Sequence, residues 1–341
     1  MSSSTNKLLY IDVLNFGNFF FDQASYNWSL NPPKQKIKSF CRALKKQGIT
    51  AKLFIDESIE SEEAINKWKA RREKEIIQGK KGVPQGMSTF IGDIFRKEGI
   101  TVLYSLEADN DDTLAAYAQV DGADILSGDG DFYRYRDRKY RIFSDFDKIK
   151  FESTGILEFI ENTNAKIERI MNDKKNIMRD LIIPPPKCVD EKLPIAFVPI
   201  LKQMKMFRRG VPSPLVKELG FNPHMKIKPL RNAIYNHLFK DEKEVSINEE
   251  IPYWSNENNK VEWSTVQVSL YNEYDEEYIK MMELLKQKPE KAMEYFFPDE
   301  FKGIPSTPIK AKEWRKHCFA CKSIICELYC IYNGRTLLSY F

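Results

Sequence analysis

Over its first 131 residues the chain alternates short apolar runs with helical periodicity, and each run leads into a carboxylate. Lys7–Val13, Thr50–Ile55, Thr101–Ser105 and Asp124–Leu126 have the length and apolar density of buried strands. They lead into Asp12, into Asp56, into Glu107, and into Asp129 with Asp131. Between them, Pro33 opens a helix whose inner face is Ile37, Phe40, Cys41 and Leu44, closing at Gly48. Glu62–Gln78 reads as a charged helix, Ser88–Glu98 as a helix with the face Phe90, Ile91, Ile94 and Phe95, and Asp109–Val120 as an Ala-rich helix. Arg141–Phe143 reads as an edge strand. Such alternation predicts an α/β domain over residues 1–150, with a mostly parallel central sheet flanked by helices. Ligands of these sheets gather at the carboxyl ends of the strands. All five of these acids fall there.

From Glu107 to Asp131 the chain has eight acidic residues and no Lys or Arg. Interleaved apolar residues, Leu114–Ala118 and Ile125–Leu126, exclude an acidic disordered tail. Crowded carboxylates repel unless something neutralises them, and Mg2+ or Mn2+ suits carboxylate oxygen. Asp111, Asp121 and Asp124 are expected to be acids of a solvated surface. Asp112, next to a helix N-terminus, is placed favourably there, with an outer contact to a metal site as the other reading.

At 341 residues, 42% of them apolar and 13% aromatic, the chain is large enough for two domains with real cores. Beyond residue 150 helical signals take over at Ile156–Ile160 and Ile167–Leu181, so 151–341 is expected to be a mainly helical C-terminal domain. Lys240–Asn259, polar and acid-rich, reads as a loop. Cys318, Cys321, Cys326 and Cys330, with His317, raise the question of zinc. However, Cys326 and Cys330 have helical spacing inside an apolar run, which suits buried thiols better than zinc knuckles. No apolar stretch is long enough for a membrane span, and Met1–Ser4 lacks the charge of a signal peptide. The expectation is an intracellular protein with no membrane partner, nucleus and cytoplasm both open.

The elements Leu9–Asn15, Leu53–Asp56, Glu107-Ala-Asp109 and Leu126-Ser-Gly-Asp-Gly-Asp131-Phe132 together resemble the PIN-like nuclease superfamily, in its flap endonuclease/XPG branch, over residues 8–145. Within it the sequence looks most like the asteroid-like proteins, on Lys67–Arg72, Ser127–Tyr133, Arg209-Gly210, Ser213-Pro214 and Pro229–Tyr235. The resemblance implies a two-metal site. Asp12, Asp56 and Asp109 would hold one ion with Glu107 close by, and Asp129 and Asp131 the second, with Asp109 near both. It implies phosphodiester hydrolysis, for which two ions about 4 Å apart activate water and neutralise the attacking and leaving oxygens. Two family features have no counterpart here: the Met-Gly start and the helix-two-turn-helix that grips duplex DNA.

Two basic segments follow strand-end acids. Asn66–Lys81 holds seven bases against two acids, and Phe132–Arg141 five against one, with Tyr133, Tyr135 and Tyr140 among them. Lys67, Lys69, Arg71, Arg72, Arg134 and Arg136 are expected to contact phosphates, with the aromatics stacking on bases. The blander reading is a solvated helix face and a charged edge strand.

The leading functional reading is a nuclease using two Mg2+ or Mn2+ ions on single-stranded or junction DNA or RNA, with protein partners reached through the C-terminal domain. The alternative is a nucleic-acid-binding or scaffold protein of the asteroid-like type with weak or no turnover. A small-substrate metallophosphatase fits the acids but leaves the basic runs unexplained.

Overall fold

The computed structural model describes residues 7–21, 31–56, 62–78, 87–105, 107–144, 157–159, 161, 164–173, 178–189, 206–210, 216–222, 246–268 and isolated positions between 225 and 283. They belong to two compact units. The first comprises Met1–Gln23, Leu30–Ile65 and Ser88–Ile195; the second comprises Ala24–Ser29, Asn66–Met87 and Ala196–Phe341. The cysteine and histidine cluster of 317–330 lies outside the described residues.

The first unit is built on one six-stranded sheet. Its strands are β1 (Lys7–Asp12), β2 (Ile49–Asp56), β3 (Thr101–Ser105), β4 (Asp124–Leu126), β5 (Ile142–Phe143) and β6 (Cys188–Val189), in the order β5-β4-β1-β2-β3-β6. The first five are mutually parallel, and β6 closes the β3 edge antiparallel. The chain winds from β1 to β2 and β3 on one side, then returns to place β4 and β5 on the other. The switch point of the sheet therefore lies between β1 and β4, where α/β sheets bind ligands.

Burial explains why these segments read as unbroken apolar runs: Leu9, Tyr10, Ile11, Leu53, Phe54 and Ile55 are all buried. The helices are α1 (Val13–Phe16), α2 (Asn31–Lys46), α3 (Glu62–Gln78), α4 (Met87–Lys97), α5 (Asn110–Asp121) and α6 (Asn164–Asp173). Phe16 of α1, Phe20 just beyond it, Phe40 of α2 and Phe95 of α4 form an aromatic cluster with ring centroids 5.0–6.1 Å apart. At Gly92 a Cβ would meet Ile55 Cδ1 at 2.9 Å and Val102 Cγ1 at 3.4 Å, so the missing side chain is what lets α4 sit this close to β2 and β3. On α5 the small residues Ala115 and Ala118 join Leu114 in a core with Tyr10, Phe54 and Ile125.

The helical expectations beyond residue 150 are met only in part. Over Ile167–Leu181 the helix α6 covers residues up to Asp173, while Arg179 lies extended beside Tyr135. Leu157–Phe159 is not helical either, because the Gln47 side chain binds the backbone of Leu157 on both sides: Leu157 N donates to Oε1 at 2.6 Å and Nε2 donates to Leu157 O at 3.0 Å. In both places a long-range partner, backbone at Arg179 and the Gln47 side chain at Leu157, replaces the helical one, which local periodicity cannot reveal.

Among its described residues the second unit holds strands that the expectation of a mainly helical C-terminal domain did not include. It contains a three-stranded sheet, β7 (Met206–Gly210), β8 (Ser246–Ser255) and β9 (Lys260–Val268), with β8 parallel to β7 and antiparallel to β9. The stretch expected to be a loop is largely β8 and its turn. Ile247, Glu249, Glu250 and Ile251 are buried, so acids occupy interior positions and hide the strand pattern. The turn ends at Asn259, whose φ of 48° suits asparagine. A short helix, α7 (Val216–Leu219), places Val216 against Ile76 and Val261.

From Asn66 onward α3 belongs to this second unit. Its inner face mixes apolar packing at Ile76 and Trp68 with charged contacts. Lys69 Nζ pairs with Glu250 Oε1 at 2.7 Å and lies 5.4 Å from the centroid of the Trp263 ring; Trp263 Nε1 donates to Glu73 Oε1 at 2.7 Å. Trp68 packs against Trp263 with centroids 5.6 Å apart. Removing one partner of a desolvated ion pair leaves an uncompensated charge. Lys69→Ala should therefore destabilise the protein by about 3 kcal/mol in denaturant unfolding, whereas Arg71→Ala, on the exposed face, should stay within about 0.5 kcal/mol. Equal effects of the two substitutions would contradict this two-faced reading of α3.

Candidate metal centre

The carboxylates converge at the β1–β4 switch point. Asp12 closes β1 and is 1% exposed. It caps α1, with Leu14 N donating to Oδ1 at 3.2 Å, and its Oδ2 accepts from Asn15 Nδ2 at 2.5 Å and from Ser127 Oγ at 2.9 Å. Ser127 Oγ in turn accepts from Asp129 N at 3.1 Å. One buried hydroxyl thus ties the end of β1 to the loop after β4. Asp129 continues the chain of contacts by accepting from Asp131 N at 2.9 Å, which starts the 3-10 turn Gly130–Arg134.

On the facing element Asp109 caps α5, accepting from Asp111 N at 3.0 Å. Buried Asn110 locks this helix start to β3, its Oδ1 accepting from Ser105 Oγ at 2.7 Å. The result brings oxygens of Asp111, Asp129 and Asp131 within 4.8 Å of one another.

Crowding shows in the acidities. Burial, followed by repulsion from Asp12, Asp129, Asp109 and Asp131, pushes the Asp111 carboxyl up to about 8. Burial pushes Asp12 up to about 6; its bonds from Asn15 and Ser127 pull the other way, and Asp129 adds repulsion. A hard divalent cation relieves this repulsion, and oxygen donors from separate elements are its preferred ligands. The donor set therefore fits Mg2+ or Mn2+.

Asp111 is the correction of most consequence. Expected on a solvated surface, it lies at the centre of the cluster. The usable signal was its position: the second residue of a helix that starts just after a strand end, where a capping Asp109 turns it inward. Asp112 goes to a structural network instead, its Oδ1 accepting from the Tyr135 hydroxyl and from Arg179 Nη1. Asp121 takes the Tyr10 hydroxyl and Lys52, and Asp124 is held by Arg141 at 2.6 Å. Of the remaining expected ligands, Asp56 ends β2, level with Ser105 of β3. Glu107 is exposed, and its Oε2 accepts from Lys187 N at 3.1 Å. Neither is among the three acids grouped within 4.8 Å.

The basic residues divide as well. Arg134 pairs with Asp131 at 3.1 Å and Arg136 with Asp180 at 3.3 Å. Arg72 pairs with Glu75 at 2.7 Å, and burial lowers its pKa from the ordinary range. Lys69 is engaged with Glu250, while Lys67 and Arg71 are exposed. Tyr133, Tyr135 and Tyr140, expected to stack on bases, are buried in the core of the first unit. Their periodicity served packing.

No protein-family profile and no characterised protein sequence matches the chain. Among solved structures, the catalytic core of Rad2 in complex with DNA substrate (complex III) aligns at 17% identity and a TM-score of 0.32, over 50% of this chain and 51% of that one. Complex II of the same core aligns at 16% identity and a TM-score of 0.29, over 50% and 49%. The chain thus spans about half the length of the Rad2 chains it matches. At such scores the likeness carries no argument about chemistry, which rests on the residues above. Among the described residues no helix is long and apolar enough to cross a membrane.

Proposed function

We propose that this protein is a divalent-metal-dependent nuclease that hydrolyses phosphodiester bonds of DNA or RNA with two Mg2+ or Mn2+ ions. The observation that supports it most is the set Asp111, Asp129 and Asp131, whose oxygens lie within 4.8 Å beside buried Asp12 at the switch point of a parallel sheet. Asp12, Asp109, Asp111, Asp129 and Asp131 would hold the ions, with Asp56 and Glu107 as outer members from the neighbouring strand ends. Bound there, the ions would supply an activated water and charge neutralisation at the scissile phosphate. The chain's own part is to fix the carboxylates before substrate arrives: Ser127 and Asn15 orient Asp12, and the Asp109 cap aims the first turn of α5. Arg136 of the first unit, and exposed Lys67 and Arg71 of the second, are each assigned to contacts with nucleic-acid phosphate, while Arg134 is given to Asp131.

Calorimetry with Mn2+ tests the site, and cleavage of labelled single-stranded DNA and RNA tests the activity. Asp129→Asn is expected to remove both Mn2+ binding and cleavage. Lys67→Ala with Arg71→Ala should weaken oligonucleotide binding and lower the slope of log K against log salt by about 0.7 for each phosphate no longer neutralised. Oligonucleotide binding without any cleavage would move the protein to the scaffold reading, and absence of Mn2+ binding would defeat the enzyme.

A further inference from the structure

Arg179 belongs to none of the motifs read from the sequence, yet the fold pins it beside the loop that carries Asp129 and Asp131. Arg179 N donates to Arg134 O at 3.0 Å, and Arg136 N donates to Arg179 O at 3.0 Å. Its side chain reaches back toward α5, where Nη1 donates to Asp112 Oδ1 at 3.3 Å, and the group is 33% exposed. That oxygen also accepts the Tyr135 hydroxyl, so Asp112 does not depend on Arg179 alone.

Burial works against the guanidinium's charge, but the Tyr135 hydroxyl and the carboxylates of Asp112 and Asp131 hold its pKa above the ordinary value. The cation thus stands in the field of a carboxylate in the proposed metal centre, with one long contact out of five N–H donors given to Asp112. Arg134 is placed differently. It is 14% exposed and bound to Asp131 at 3.1 Å, a geometry that steadies the ligand.

We propose that Arg179 is a substrate-phosphate ligand of the carboxylate site, its guanidinium engaging a non-bridging oxygen of the nucleic-acid backbone. This rests on the nuclease reading above. A planar guanidinium presents paired donors that match phosphate oxygens. The residue arrives from the segment after α6, so substrate binding here depends on the unit having folded around the Tyr135–Arg179 pairing.

The test uses the full chain and its Arg179→Gln and Arg179→Lys variants. Binding of labelled oligo-dT and oligo-U is measured across a salt series with Ca2+ present, alongside Mn2+ affinity by calorimetry and melting temperature. Arg179→Gln should weaken oligonucleotide binding about tenfold and lower the salt slope by about 0.7, the value for one phosphate. Mn2+ affinity should stay within about twofold of the wild type. Arg179→Lys should keep the wild-type slope and recover part of the affinity, which a purely structural role would not produce. Wild-type oligonucleotide binding and slope in Arg179→Gln would overturn the assignment and leave the nuclease reading standing. A wild type that binds Mn2+ but neither oligonucleotide would overturn both.

Discussion

Replacing Asp111 with asparagine should abolish the rise in melting temperature that Mn2+ gives the wild type, and should raise the melting temperature of the metal-free protein at pH 8.5 by several degrees. Both effects have one cause. Asp111 sits where burial and four neighbouring carboxylates disfavour its charge, so the metal-free protein carries electrostatic strain that a divalent cation relieves. One unit of pKa shift corresponds to about 1.4 kcal/mol. A carboxyl pushed up to about 8 from an ordinary 3.8 therefore represents a few kcal/mol in order of magnitude, shared among coupled groups. An amide removes the repulsion and the ligand together.

The neighbouring substitution, Asp112→Asn, is the control. It weakens the contacts from Tyr135 and Arg179 and should destabilise the protein by about 1–3 kcal/mol while leaving the Mn2+ response in place. Differential scanning fluorimetry with and without Mn2+ separates the two. If both variants kept the Mn2+ response, the metal centre would have to lie elsewhere.

Stability of the metal-free protein should fall as pH rises from about 5 to 9, and Mn2+ should reverse the trend. The folded-state acidities of Asp12, about 6, and Asp111, about 8, lie above the ordinary aspartate value of 3.8. Between these values the folded protein holds protons that the unfolded chain has released. Their contribution is thus fully present below about pH 4 and is lost as pH climbs through 6 and then 8. Asp93, raised by burial, acts in the same direction.

Asp121 acts oppositely. Bonds from Tyr10 and Lys52 outweigh its burial and hold it below the usual range, so its contribution is lost on acidification. Divalent binding competes with the protons on Asp12 and Asp111, so the Mn2+-induced rise in melting temperature should grow with pH. Melting curves in EDTA at half-unit steps give the profile. A metal-free stability that stays flat from pH 5 to 9 would mean the carboxylates are not crowded in solution, and an unchanged profile in Asp111→Asn would exclude that residue as the source.

Much of the first unit, and helix α3, most of which belongs to the second, was legible because the determinants are local. β3 at Thr101–Ser105, β4 at Asp124–Leu126 and α3 at Glu62–Gln78 fall where periodicity put them. Buried parallel strands read as short apolar runs, and charged helices carry a period of their own. The strand-end position of Asp12 and Asp129 was legible for the same reason. The second sheet was not. In β8 the acids Glu249 and Glu250 occupy buried positions, which a pattern of apolar residues cannot register because their partners, Tyr235 and Lys69, come from elsewhere in the chain.

Local sequence was enough to set the strand–helix alternation and to deliver acids to one edge of a parallel sheet. Backbone propensity and burial settle both within a few residues. Which acids meet was decided in three dimensions. Asp111 and Asp112 are adjacent in sequence, yet α5 turns one into the carboxylate cluster and the other toward Tyr135 and Arg179. The same applies to the cations: Lys69 and Arg71 are two residues apart on α3, and β8 with its Glu250 engages one while the other stays in solvent. Side-chain direction on a helix changes by about 100° per residue. A composition count over a segment therefore cannot assign these residues, whereas the packing partner of each helix face can.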